Sequence, residues 1–223
     1  MYQELPSASP TIRCRWRAFV EEPGEYRVPA SECWDISFIR RVDGSFAAEL
    51  GGPSFSSRVP DSRLGESYWG LQLAPHAAFA GVDKAALLGR TVALPVDGSE
   101  FAIGGVRLAI PSWVELEDLV RQLLTAGLLV VDEHVRRALD GDNNGYSPRS
   151  WQRRFRQVTG LSRKQIEQLD RADRALVLLR RGLSPSDAAA AAGYADQSHL
   201  TRSLRLIQGG TPAQILGVGG AGW

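Results

Sequence analysis

Five residues near the C-terminus, Gln197, Ser198, Thr201, Arg202 and Arg205, recur at spacings that an α-helix gathers onto one face. Leu200, Leu204 and Ile207 fall on the opposite face as an apolar stripe. A helix with amide, hydroxyl and guanidinium groups on its outer side is equipped to recognise, not to make or break bonds. Arginine in particular suits two-pronged contacts to phosphate and to guanine. Taken alone, the same pattern also fits an αα-hairpin with a solvated face. A second copy changes the balance: Arg149, Gln152, Arg153 and Arg156 follow the i, i+3, i+4, i+7 spacing, with Trp151, Phe155 and Val158 behind them.

Each polar face has the punctuation of a helix around it. Asp196 stands where an N-cap belongs, Gly193 makes the preceding turn, and Gly209 ends the helix before Thr211-Pro212. Upstream, Ser184, Pro185 and Asp187 open a shorter helix, and the run Ala188 to Ala192 is small enough to admit a close neighbour. Two short helices, a glycine turn and a polar second helix describe a helix-turn-helix. The other copy starts at Ser147-Pro148 and closes at Gly160. Between them, Arg163 to Arg181 carries the buried stripe Ile166, Leu169, Ala172, Leu176 and Leu179. A helix of about 18 residues would be roughly 27 Å long. Such a rod can present two reader helices to successive major-groove faces, which recur about 34 Å apart.

Here the sequence resembles a known family. SPRSWQRRFRQVTGLS, then RADRALVLLRRG, then AAAAGYADQSHLTRSLRLIQGGTP are similar to the DNA-binding domain of AraC-type transcription regulators. The likeness runs from about Trp113 to Leu216. It implies seven helices, with two helix-turn-helix units joined by a central helix. It also implies base reading by Arg149, Gln152 and Arg153 in the first unit and by Gln197, Ser198, Thr201 and Arg202 in the second. There are departures. The first unit has a long polar turn, Asp140 to Gly145, where the family has a short one. The second has Ala188 and Ala192 in place of bulkier aliphatics, and Leu200 and Leu204 where Phe is common. A thinner core there predicts a less stable second unit.

The rest of the chain has a different character. Its 223 residues are 43% apolar, enough for one large or two ordinary domains. Residues 146–223 hold 12 Lys+Arg against 5 Asp+Glu, a balance of +7. Residues 1–145 hold 14 against 20, a balance of −6, so the near-neutral total conceals one half suited to a polyanion. Residues 1 to about 111 read as mostly strand. Trp34, Ile36 and Phe38 alternate with polar residues and turn at Asp43-Gly44 into Phe46, Ala48 and Leu50. Tyr68 to Leu73 alternates again, a second hairpin is expected at Phe101 to Ile110 around Gly104-Gly105, and Pro75 to Leu88 holds short helices. Ser112 to Glu115 forms a capping box ahead of the stripe Leu116, Leu119, Val120, Leu123 and Leu124. Asp132 caps a further helix carrying Val135, Ala138 and Leu139. The expected fold is α+β: a β-rich domain over 1–111 and an all-α domain over 112–223, packed together because no flexible linker separates them. The tail from Gly217 to Trp223 is expected to be mobile.

Catalytic signatures are missing. Histidine occurs only at 76, 134 and 199, and no zinc-protease, nucleophile-elbow or P-loop pattern is present. Cys14 and Cys33, 19 residues apart, fit reduced buried thiols better than a metal or redox pair, and their spacing is no metal signature. His199 fits a packing or phosphate contact. No catalytic residue, metal or cofactor is therefore assigned. Trp16, Trp34 and Trp69 fit strand-borne core, and in the functional reading they line an apolar effector cavity. Through the family likeness, the β-rich half is expected to sense a ligand or to dimerise. The partners expected are duplex DNA, RNA polymerase, a small-molecule effector and a second copy of the chain. With no signal segment at Met1 to Pro10 and no apolar run of membrane length, a cytoplasmic location is expected. The competing reading is a cupin-like β-domain enzyme, or a metal or redox sensor, with an accessory helical domain.

Overall fold

The computed structural model describes residues 1–22, 27–139 and 147–217. The polar turn Asp140 to Gly145 and the last six residues of the glycine-rich tail lie outside the described residues. In chain order the β-rich half contains β1 (Tyr2–Pro6), β2 (Ile12–Phe19), β3 (Asp35–Arg40), β4 (Phe46–Gly51), β5 (Ser67–Leu73) and β6 (Ala77–Phe79). Helix α1 (Lys84–Leu87) follows, then β7 (Thr91–Leu94), β8 (Val96–Asp97), β9 (Glu100–Ile103) and β10 (Val106–Ala109).

Six strands form an antiparallel sheet in the order β1-β2-β5-β3-β4-β7. The expected β3–β4 hairpin is present, with Phe38 opposite Ala48 and Ile36 opposite Leu50. Its turn works because Gly44 takes φ +85° and Asp43 accepts hydrogen bonds from the Ser45 N–H and hydroxyl. Side chains alternate across a strand, so Ile36, Phe38, Trp69 and Leu71 share one face. That inner face meets Phe101 of the β8–β9–β10 sheet, whose ring lies 5.2 Å from Phe38. The β9–β10 hairpin turns at Gly104 and Gly105, both with positive φ.

A short 3-10 turn (Trp113–Glu115), with the expected Ser112–Glu115 capping box, leads into α2 (Leu116–Thr125). Strand β11 (Leu129–Val131) and α3 (Glu133–Leu139) follow. After these come α4 (Pro148–Thr159), α5 (Arg163–Arg180), α6 (Pro185–Ala192), α7 (Gln197–Ile207) and α8 (Pro212–Gly217). Seven α-helices thus follow the β-rich half among the described residues. Strand β11 turns back to pair with β6, Leu129 opposite Phe79 and Val131 opposite Ala77. Neither strand was visible in the sequence, because three residues are too few to show a period. One continuous apolar cluster runs from Ile12, Trp34 and Phe79 through Leu116 and Leu123 to Phe155, Leu169, Leu200 and Ile207. The two halves are packed, not tethered.

Candidate nucleic-acid interface

Helix α4 is built as its punctuation predicts. The Ser147 hydroxyl accepts from the Ser150 N–H at 3.2 Å, and Gly160 closes the helix at φ +75°. Trp151, Phe155 and Val158 are buried, which leaves Arg149, Gln152, Arg153 and Arg156 exposed along the other side. Its neighbour α3 is capped by Asp132, whose carboxylate accepts from the His134 and Val135 N–H groups. The same carboxylate receives Arg154 Nε at 2.9 and 3.0 Å. Burial works against the charge on Asp132, but the Arg154 guanidinium and the two N–H groups hold its carboxyl below the usual range.

Helix α7 is the parallel case. Gly193 ends α6 in the left-handed conformation, and Asp196 caps α7 by accepting from the His199 N–H at 2.7 Å. Leu200, Leu204 and Ile207 are buried; Gln197, Ser198, Arg202 and Arg205 are exposed. Thr201 is half-buried, with its hydroxyl donating back to the Gln197 carbonyl at 2.9 Å. It must rotate away from its own helix to donate to an outside partner, though its oxygen can accept as it stands. Among the described residues, no carboxylate pairs with Arg149, Arg153, Arg156, Arg202 or Arg205. Two cationic faces are therefore available to a polyanion, and α5 stands between them with all five predicted stripe residues buried.

The small alanines of α6 are buried, as expected. What the sequence reading missed is Tyr194, which packs into the second unit, donates to or accepts from Ser203 at 3.0 Å, and lies under Arg171. Its ring supplies bulk where the alanines give little. His199 packs edge-on against that ring, centroids 5.1 Å apart, in keeping with its packing role.

Elsewhere the candidate residues sort less simply. Trp34 is fully buried, edge-on to Phe79, and its indole N–H points to the Val158 carbonyl at 3.4 Å. Trp69 packs on Phe38 and donates to the Pro111 carbonyl at 2.8 Å. Trp16 is opposite Gly70, while Trp69 is opposite Arg17. That one-residue offset puts Trp16 and Trp69 on opposite faces of the sheet, so the three tryptophans do not line one cavity as expected. Cys14 and Cys33 are free and buried, and burial pushes both thiols up to about 12. Neither is a thiolate near neutral pH. Among the described residues, no group of three or more His, Cys, Asp and Glu is placed to hold a metal, and no helix is long and apolar enough to cross a membrane.

Two capped helix pairs, each presenting a cationic second helix, are the arrangement expected of a helix-turn-helix reader. Residues 142–217 match the family described as "Helix-turn-helix domain". This region, about a third of the chain, is a helix-turn-helix domain of the AraC type. No curated protein matches the chain. Among solved structures, the chain is similar to ToxT from Vibrio cholerae strain SCE256, described as bound to an unsaturated fatty acid. The TM-score is 0.42 at 10% identity, covering 91% of this chain and 93% of that one. ToxT from Vibrio cholerae O395 gives a TM-score of 0.41 at 10% identity, covering 99% of each chain.

Proposed function

We propose that the protein reads two successive major-groove segments of one duplex, one with α4 and the other with α7. The observation that carries this reading is the duplicated face: two helices, each capped at its start and presenting exposed arginines that no carboxylate among the described residues neutralises. In this arrangement Arg149, Gln152 and Arg153 read base edges in one segment, and Gln197, Ser198, Thr201 and Arg202 read them in the other. Arg156 and Arg205, a turn further along, meet phosphate. The β-rich half controls the reader by responding to a small-molecule effector or by joining a second copy of the chain. A ligand there shifts DNA affinity only as far as it prefers one arrangement of the two halves over another. RNA polymerase is the further partner of such a regulator.

Selection of duplexes by the full-length chain from a random pool tests the DNA reading. The expected outcome is two preferred blocks whose centres lie about one helical turn, 10–10.5 base pairs, apart. A single block, or no enrichment, contradicts it. The effector reading is tested by measuring DNA affinity and melting temperature across a small-molecule panel at fixed salt. If no compound moves either, the β-rich half serves assembly, and light scattering will show a dimer.

A further inference from the structure

An α-helix leaves its last four carbonyls without partners inside the helix. In α4, Arg156 O is taken by the Gly160 N–H at 3.0 Å. The next two go to the β-rich half: Gln157 O accepts from Lys84 Nζ at 2.7 Å, and Val158 O lies 3.4 Å from Trp34 Nε1. In α7, Leu204 O is taken by the Gln208 N–H at 2.8 Å. Again two neighbours go to the β-rich half: Leu206 O accepts from the Ser57 N–H and Ile207 O from the Ala30 N–H, both at 2.8 Å. Both reader helices are therefore held by their carboxyl ends, and all four outside donors come from residues 30–84.

Three of these donors, Ala30, Ser57 and Trp34, belong to one connected stretch of backbone. Val28 and Arg58 exchange both backbone hydrogen bonds, at 2.8 and 2.9 Å, and the Ser54 N–H donates to Ser31 O at 2.7 Å. Ala30 and Ser57 thus lie on two segments joined by backbone hydrogen bonds at Val28–Arg58 and Ser31–Ser54. Trp34 is tied to the main sheet, its carbonyl accepting from the Leu73 N–H at 2.8 Å. The stretch from Ala30 to Trp34 therefore touches α7 at one end and α4 at the other, across at most ~14 Å of backbone. A matching separation exists on the helical side. The end of α7 is fastened to Asp173 by Gln208 at 2.9 Å. Asp173 lies ten residues into α5, about 15 Å along its axis, while α4 joins the start of α5. Arg13 adds a cross-link, 2.7 Å from Glu32 and 3.7 Å from Asp173. The approach is close: a Cβ on Gly209 would come within 2.9 Å of both Arg27 Cδ and Ser57 Oγ.

We propose that residues 30–34, with Ser57 and Lys84, form a bracket that fixes the separation of the two reader helices and so selects the spacing of the two base-pair segments. Lys84 and Trp34 are positioning residues that touch no base. This inference rests on the two-segment reading. It differs from an inhibitory contact, because the grips are at the carboxyl ends. The amino-terminal turns, where Arg149, Gln152 and Arg153 or Gln197, Ser198 and Arg202 stand, remain exposed, and those turns enter the groove. Grip and reading do not compete.

The test uses the full-length chain and the duplex that selection yields, at its selected spacing and with one base pair inserted or removed between the segments. The wild type is expected to bind the altered spacings at least about tenfold more weakly. The double variant Lys84→Met, Trp34→Phe is expected to reduce that discrimination to about threefold or less, while binding to each single segment is unchanged. Restoring Lys84 as arginine in the Trp34→Phe background should recover part of it. A folded double variant that keeps wild-type spacing discrimination overturns the proposal. Amide hydrogen exchange on the wild type gives a second measurement that needs no variant. The Ala30 and Ser57 N–H groups should be protected both free and bound to DNA; loss of protection on binding means the grip opens to read, which also overturns the bracket. If no duplex is preferred at all, the two-segment reading fails and the bracket falls with it. Protected amides in the free protein would then show that the failure lay in the reading and not in the contact.

Discussion

Arg153 and Arg154 are adjacent in sequence and have opposite surroundings. One step along a helix turns the side chain through about 100°, enough to take Arg153 to the exposed face and Arg154 onto Asp132. Arg153→Ala and Arg202→Ala should each lower affinity by roughly 1–3 kcal/mol and relax preference at one base position, measured on a panel of single-base variants. Arg154→Ala should instead lower folding stability by about 1 kcal/mol given its partial exposure, read as a lower melting temperature, and weaken all sequences alike. Arg181→Ala, outside both faces, should weaken every sequence equally or have no effect. Asp35 carries a different residue-scale consequence. Burial pushes its carboxyl up to about 6, opposed by Arg58 and reinforced by Glu49. The folded protein therefore holds this proton more tightly than the unfolded chain does. Its contribution to stability is full below pH 4 and is lost as pH rises from about 4 through 6. Asp35→Asn should flatten that part of the stability–pH curve and raise stability at pH 7 by roughly 1–3 kcal/mol. An unchanged slope in chemical denaturation would show that Asp35 titrates normally.

At the scale of elements, the helices around the reader were legible because each carries its own start and stop. Ser147, Ser162, Ser184 and Asp196 all cap as N-caps, and Gly160 and Gly193 take the left-handed conformation their positions imply. The hairpin at Asp43-Gly44 was legible for the same reason. What the sequence could not show depends on non-local pairing. The β6–β11 pair joins segments some fifty residues apart, and the face on which Trp16 lies is decided by its register against β5. The groups that hold the reader helices were equally hidden. Two of them are backbone N–H groups, which no residue type announces, and Lys84 carries no motif. Asp196→Ala removes the cap of α7 and should cost about 1 kcal/mol. Its effect on DNA affinity should exceed its effect on global stability, because the frayed turn holds Gln197 and Ser198. Hydrogen exchange at His199, the capped amide, reports that fraying directly; unchanged protection there would contradict the capping role.

Across the whole molecule, charge and packing point in different directions. The charge divides the chain into a −6 part over 1–145 and a +7 part over 146–223, yet the apolar core is continuous between them. Strand β11 lies beyond the sequence boundary at 111/112 and pairs with β6 before it. A cut at that boundary would separate the pair and remove Trp34 and Lys84 from α4. We expect the two halves to unfold in one transition, seen as coincident tryptophan-fluorescence and helical circular-dichroism curves. Separate transitions would show that the halves are energetically independent, and would weaken the case for one half acting on the other.

The central claim is that two cationic helices on one rigid frame read duplex DNA in sequence. Its most direct measurement is an anisotropy titration of the full-length chain against its selected duplex and a scrambled duplex of equal length, repeated over a range of salt. The account predicts at least a thousandfold preference for the selected duplex at physiological salt. It also predicts log affinity falling linearly with log salt at a slope near −0.9 per phosphate contacted. Equal affinity for the two duplexes, falling together with salt, would mean that the exposed arginines meet only phosphate and that neither helix reads a base.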